Sequence, residues 1–298
     1  MPVIDIVLLV ALSAIWGSSF MFMRYLAPIL GPAMTADMRV LIAGLALVLF
    51  FAATGFRLEW RKNWRHFLVI GMVNSGIPFL LYSFAALYLP ASVEVIFNSM
   101  SPLFGALFSA IWLAEPLTGR RILALLLGLA GVFAVSSLGA VPASPWAIPA
   151  ILACLLATIC YALAGVYIKR RASEVKPRAT AAGSQLVAGL VLLPVAVVAR
   201  PPRAPSSEPI LVLILFALLC SAIAYLIYYR LMADVGPTKA LTVTFLMPVF
   251  GMFWGALFLG ERIGASMIGG TVLILAGTYL VAGGRLAPAR NAKLRGSS

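Results

Sequence analysis

This chain is poor in charge, poorer in acid, and almost without histidine. Of its 298 residues only 10% are charged, 9 are Asp or Glu, and one is histidine. A soluble domain is typically about a quarter charged. The shortage also narrows the chemistry. Hydrolysis or acyl transfer inside a membrane needs a nucleophile with a positioned base. His66 lies instead in the polar stretch "RKNWRH". There is no G-x-S-x-G, no P-loop and no metal-ligand spacing. The three cysteines, Cys154, Cys160 and Cys220, sit in apolar runs without a CxxC or Cys/His pattern. They read as small buried hydrophobes. No catalytic residue, metal site or cofactor is expected, and the chain is not read as an enzyme.

Apolar residues are plentiful: 63% of the chain, with a mean hydropathy of +1.06. A helix needs roughly 20 apolar residues to cross a bilayer core. Ten runs qualify, at 3–23, 33–54, 66–87, 92–113, 120–138, 146–168, 179–199, 210–232, 238–258 and 265–283. They are long and continuous, unlike the short alternating strands of a barrel. The expected fold class is therefore an all-α polytopic membrane protein with ten transmembrane helices. The first run carries Asp5 at its start, with no basic n-region or convincing cleavage site, so it reads as a retained helix. Residues 285–298 read as a disordered basic cytoplasmic tail.

Lysine and arginine orient the chain. With the N-terminus in the cytoplasm, seventeen of the 22 Lys and Arg fall on the inside, four on the outside, and Arg39 within a run. Both termini are expected in the cytoplasm. The net charge of +13 then reads as an orientation signal with contact to an anionic bilayer surface. Scattered over loops, it does not suggest a nucleic-acid partner.

The chain repeats itself. "SPLFGALFSAIWLAEPLTGRR" at 101–121 returns as "MPVFGMFWGALFLGERIGASM" at 247–267. A shift of 146 also places Ser75 on Ser221, Tyr82 on Tyr228 and Gly131 on Gly277. A shift of 145 places Trp16 on Tyr161, Arg24 on Lys169 and Pro32 on Pro177. The domains expected are a first five-helix repeat at 1–141 and a second at 142–284. Five is odd, so the second copy enters the membrane inverted. Inverted repeats suit a transporter that alternates between two related states around a central site.

Three motifs carry a resemblance: "AIWGSSF" at 14–20, the Pro-to-Glu phrase ending "LAEPLTGRR" and "LGERIGA", and "LGLAGV" at 127–132. Over about residues 5 to 284 the chain resembles the drug/metabolite transporter superfamily in its EamA-type branch, most like the bacterial YddG-type (aromatic) amino-acid exporters. The resemblance implies export of small metabolites, amino acids first, across the bacterial inner membrane. It leaves open a passive channel or facilitator, or a carrier for another small metabolite or drug. A monomer is expected.

Proline has no amide hydrogen, so Pro102 and Pro248 cannot bond the carbonyls of Asn98 and Thr244. They are expected to act as hinges near mid-membrane. The small-residue steps Gly105–Ser109 and Gly251–Gly255 are expected to let another backbone approach. Helical spacing aligns Ser75, Phe79 and Tyr82 in the third run, and Ser221, Tyr225 and Tyr228 in the eighth. It aligns Glu94, Asn98 and Ser101 in the fourth run with Ala240, Thr244 and Met247 in the ninth. Candidate substrate-binding residues are Trp16, Tyr82, Asn98, Ser101, Tyr161, Tyr225 and Tyr228. Their rings suit an aromatic or amphipathic solute. Arg24, Asp37, Arg39 and Glu94 fall near the outer ends of their runs and are outer-gate candidates, Arg39 with a second reading as a carboxylate seat. Glu115 and Glu261 are expected to cap a helix or pair with loop arginines, with proton carriage as the other reading.

Overall fold

A computed structural model describes residues 2–137, 139–202, 204–240 and 242–283. Residue 284 and the 285–298 tail lie outside the described residues. Among the described residues ten long helices cross the bundle: α1 (Val3–Leu30), α2 (Pro32–Ala53), α3 (Trp60–Ala85), α4 (Ala91–Trp112), α5 (Gly119–Ser137), α6 (Ala147–Arg171), α7 (Pro177–Val198), α8 (Ser207–Val235), α9 (Val243–Leu259) and α10 (Ala265–Gly283). Nine meet the length and hydropathy of a membrane span, and α9 is a shorter apolar helix entered through the single turn Pro237–Ala240. No strand occurs among the described residues. The outside of the bundle is apolar: Phe133, Val198, Leu211 and Phe258 are all more than 60% exposed. Water does not tolerate a belt of this extent, and lipid does. The protein is an all-α polytopic membrane protein.

Chain breaks sit where proline and glycine dictate. Gly31, at φ +82°, ends α1 and starts α2. Its N–H donates to the Ala27 carbonyl, and its own carbonyl accepts from the Thr35 hydroxyl at 2.9 Å. Pro32 and Pro177 occupy the first turns of α2 and α7, where the missing N–H costs nothing. The first run, read from the sequence as ending at 23, continues as helix to Leu30. Pro28 lies inside α1, whose last turn is held because Leu26, Ala27 and Leu30 are buried in the core.

Packing follows the repeat. α2 crosses α7, and α5 crosses α10, each helix meeting its own mate. α1 packs on α9 and α8, as α6 packs on α4 and α3. At the α2–α7 crossing the mates Gly44 and Gly189 face opposite backbones, Leu186 and Leu41. A Cβ at either glycine would overlap that backbone, so only glycine permits the crossing.

Two irregularities recur at a shift of 146. Wide π turns occur in α3 at Met72–Gly76 and in α8 at Leu218–Ile223. Pro78 follows the first, but no proline lies in the second, so proline is not their shared cause. The Pro102 and Pro248 positions differ. α4 breaks at Ser99 and Met100, and a new helix starts at Ser101 with Pro102 in its first turn. Pro248 lies inside the continuous α9. The carbonyl that Pro102 leaves unbonded, that of Asn98, accepts the Ser101 hydroxyl at 2.7 Å. The close approach expected at Gly105 does not occur, since a Cβ there meets open space. Gly251 does pack tightly, against Val95.

Candidate functional site

A cavity of about 260 Å³ lies between the two copies. α1 contributes Trp16, Ser19, Phe20 and Met23, α2 contributes Arg39, α3 contributes Asn74 and Tyr82, and α4 contributes Asn98 and Ser101. From the second copy come Tyr161 of α6, Tyr225 and Tyr228 of α8, and Met247 of α9 with Val243 and Thr244. All seven residues singled out in the sequence as substrate-binding thus line one cavity. α5, α7 and α10 line none of it.

The aromatic wall carries the repeat symmetry. Trp16 and Tyr228 have ring centroids 5.2 Å apart, and their mates Tyr161 and Tyr82 stack at 6.3 Å. Each copy therefore lends one ring to each pair. Tyr225 stands edge-on to Trp16 at 6.1 Å, and Phe20 stands edge-on to Tyr82 at 5.2 Å. Offset and edge-to-face contacts of this kind hold rings in place. On the first-copy side the Tyr82 hydroxyl donates to Asn98 Oδ1 at 3.1 Å. Asn98 and Ser101 face the cavity because the helix stops and restarts between them.

The four outer-gate candidates separate. Arg24 donates to the Ala86 carbonyl at the end of α3. Glu94 is fully buried in α4, with Arg24 and Glu261 the charges that bear on it, and neither carboxylate oxygen has a hydrogen-bond partner among the described residues. Asp37 is likewise fully buried without a partner for its carboxylate. Arg39 lies elsewhere, in the cavity wall rather than with Arg24 and Glu94. Its guanidinium rests 3.7 Å from the Phe79 ring centroid and 4.5 Å from that of Phe216. Nε donates to the Ser221 hydroxyl at 2.9 Å and Nη2 to that of Ser19 at 3.4 Å, while Nη1 lies 4.0 Å from the Met23 sulfur. The α2 mate of Arg39 at a shift of 145 is Ser184, so the second copy brings no matching cation. The signal in the sequence was present: Arg39 is the only Lys or Arg more than three residues inside an apolar run.

Glu115 and Glu261 are mates that both reach the other copy but hold different kinds of partner. Glu115 pairs with Arg121 at 2.7 Å and Lys169 at 2.8 Å. Glu261 crosses to the other copy and accepts the N–H groups of Ala91 and Ser92, at 2.6 and 3.0 Å, and the Ser92 hydroxyl. It caps the first turn of α4, where a helix presents unsatisfied donors and the positive end of its dipole.

Ten apolar helices in two copies, closing on a cavity walled by both, define a membrane transporter. The EamA-like transporter family model matches the chain twice, over residues 4–137 and 148–283, and the chain belongs to that family. Relatives match over nearly the whole chain. The chain is 27% identical to the "Uncharacterized transporter YvbV" of Bacillus subtilis, covering 92% of this chain and 90% of that protein. It is 27% identical to "Protein PecM" of Dickeya dadantii, covering 90% and 88%. It is 28% identical to the "Uncharacterized inner membrane transporter YedA" of Escherichia coli, covering 91% and 90%. A crystal structure at 18% identity matches with a TM-score of 0.64 over 91% of this chain and 94% of its own, which shows a shared fold.

Proposed function

We propose that this protein is a secondary carrier that exports small amphipathic metabolites, amino acids with aromatic or apolar side chains first among them. It works by alternating access across the bacterial inner membrane, as a monomer with both termini in the cytoplasm. The repeats divide at about 141/142. The observation that carries this reading is the cavity, whose ring pairs each draw one residue from each copy. A load clasped there contacts both halves, so rocking one half against the other changes its access without releasing it. Hydroxyl and amide groups each net about 1 kcal/mol per hydrogen bond. Binding on the order of −4 to −8 kcal/mol, millimolar to micromolar, follows from a few such bonds with ring contacts.

The test is uptake by purified protein in liposomes, with a panel of labelled amino acids, with and without a proton gradient. A carrier gives saturable flux and counterflow. Flux that rises linearly with concentration and shows no counterflow would assign the protein to the channels instead. Asn98→Ala and Tyr82→Ala should each slow transport several-fold in folded protein. Parent-like transport of every tested amino acid by both variants would remove this cavity as the site.

A further inference from the structure

Arg39 brings a charge into the cavity wall that the protein does not neutralise. It is 4% exposed. No carboxylate lies within ion-pair distance of it among the described residues, since the four ion pairs found there involve other residues. Asp5, Asp37 and Glu94, the buried carboxylates of the same half, do not line the cavity. A buried cation is costly unless something of opposite charge compensates it. Hydroxyls and aromatic faces supply part of that compensation. The guanidinium has five N–H groups in a planar fork. Ser221 and Ser19 take two, and the Met23 sulfur is a weak acceptor for a third. Two remain. The Phe79 and Phe216 rings hold the guanidinium by its faces, and cation–π contact leaves the donor edge for a ligand.

We propose that Arg39 is the seat of a carboxylate and that the cavity selects loads by their negative charge, binding organic carboxylates with an aromatic or apolar body. The proposal rests on the reading of this cavity as the substrate site. It goes further in that an ammonium group is not required. No Asp or Glu lines the cavity, and the side-chain oxygen of Asn98 already accepts from Tyr82. An amino acid enters as a carboxylate whose ammonium finds rings, hydroxyls and the amides of Asn74 and Asn98, all neutral. A cation with the same ring meets Arg39 with no carboxylate in the lining to offset the repulsion. Carboxylate on guanidinium is a charge-assisted pair that two parallel N–H groups can grip.

Three probes with one ring and one chain length separate the cases: 3-phenylpropionate, phenylalanine and phenethylamine. Equilibrium binding to the purified full chain, at constant salt, should rank the acid at or above the zwitterion, with the amine at least tenfold weaker. Arg39→Gln should weaken the acid at least tenfold and leave the amine's affinity no lower. Arg39→Lys should recover part of the loss, since the charge returns without the fork. Should Arg39→Gln not fold, the ranking in the parent protein and in Arg39→Lys decides. Failure of the acid to bind, or an amine that binds as tightly as the acid, overturns the proposal. Flux in liposomes keeps the two readings apart. Acid that binds while neither it nor phenylalanine shows saturable flux supports the carboxylate seat and sinks the carrier. Saturable flux of the amine alone supports the carrier and overturns the seat.

Discussion

Glu261 holds Ser92 by both its N–H, at 3.0 Å, and its hydroxyl, so a carboxylate after α9 of one copy closes the start of α4 in the other. Its mate Glu115 pairs with Lys169, 62% exposed, and with Arg121, 16% exposed. Deleting a capping acceptor costs typically about 1 kcal/mol, up to about 2. Exposed ion pairs contribute about 0–1 kcal/mol. Glu261→Ala should therefore lower the unfolding midpoint in detergent by more than Glu115→Ala does. Equal shifts would deny Glu261 its cap.

Pro102 and Ser101 should prove energetically coupled. The Ser101 hydroxyl satisfies the carbonyl that Pro102 leaves without an amide. Ser101→Ala alone should cost about 1 kcal/mol through the lost hydrogen bond to a half-buried carbonyl. In a Pro102→Ala background the new amide can take over, and the same change should cost less. A double-mutant cycle read by unfolding should show coupling of at least about 0.5 kcal/mol. Additive effects would leave the two residues independent.

Glycines that look alike in the sequence should respond oppositely to alanine. At Gly189 a Cβ would come within 2.7 Å of the Leu41 Cα, so Gly189→Ala must push α2 and α7 apart. Gly105 meets open space, and glycine inside a helix costs roughly 0.5–1 kcal/mol relative to alanine. Gly105→Ala should raise the unfolding midpoint, and Gly189→Ala should lower it.

Topology is open to reporters fused at residues 54–59 and 139–145. The expected outcome is opposite sides, with the 54–59 loop in the cytoplasm. Reporters on one side would break the alternation of the first five helices.

The ten helices were legible because length and continuous hydropathy are local properties. The cavity residues were legible because the repeat doubles the signal: Trp16 with Tyr161, and Tyr82 with Tyr228, stand out only when the copies are laid together. What stayed hidden depends on neighbours. Arg39 reads as an outer-end charge by its position in α2, yet its partners Ser19, Phe79 and Ser221 come from three other helices. The π turns are hidden for a related reason, since they change the register from Ser75 to Tyr82 without changing the composition. Pro28 looks like a helix end and is not one, because burial of Leu26 and Leu30 outweighs it. Gly105 looks like a contact by its spacing and has no partner there.

Only one of the six tryptophans, Trp16, faces the cavity. Trp60, Trp64, Trp112 and Trp146 are between 38% and 51% exposed, and Trp254 is tied through Nε1 to the Ala14 carbonyl at 3.0 Å. The indole of Trp16 thus sits where a load would arrive, with Tyr228 near enough to pass excitation to it. With the other five replaced by phenylalanine, the colour and brightness of a single emitter would report whether the protein is loaded or empty, in an unlabelled sample.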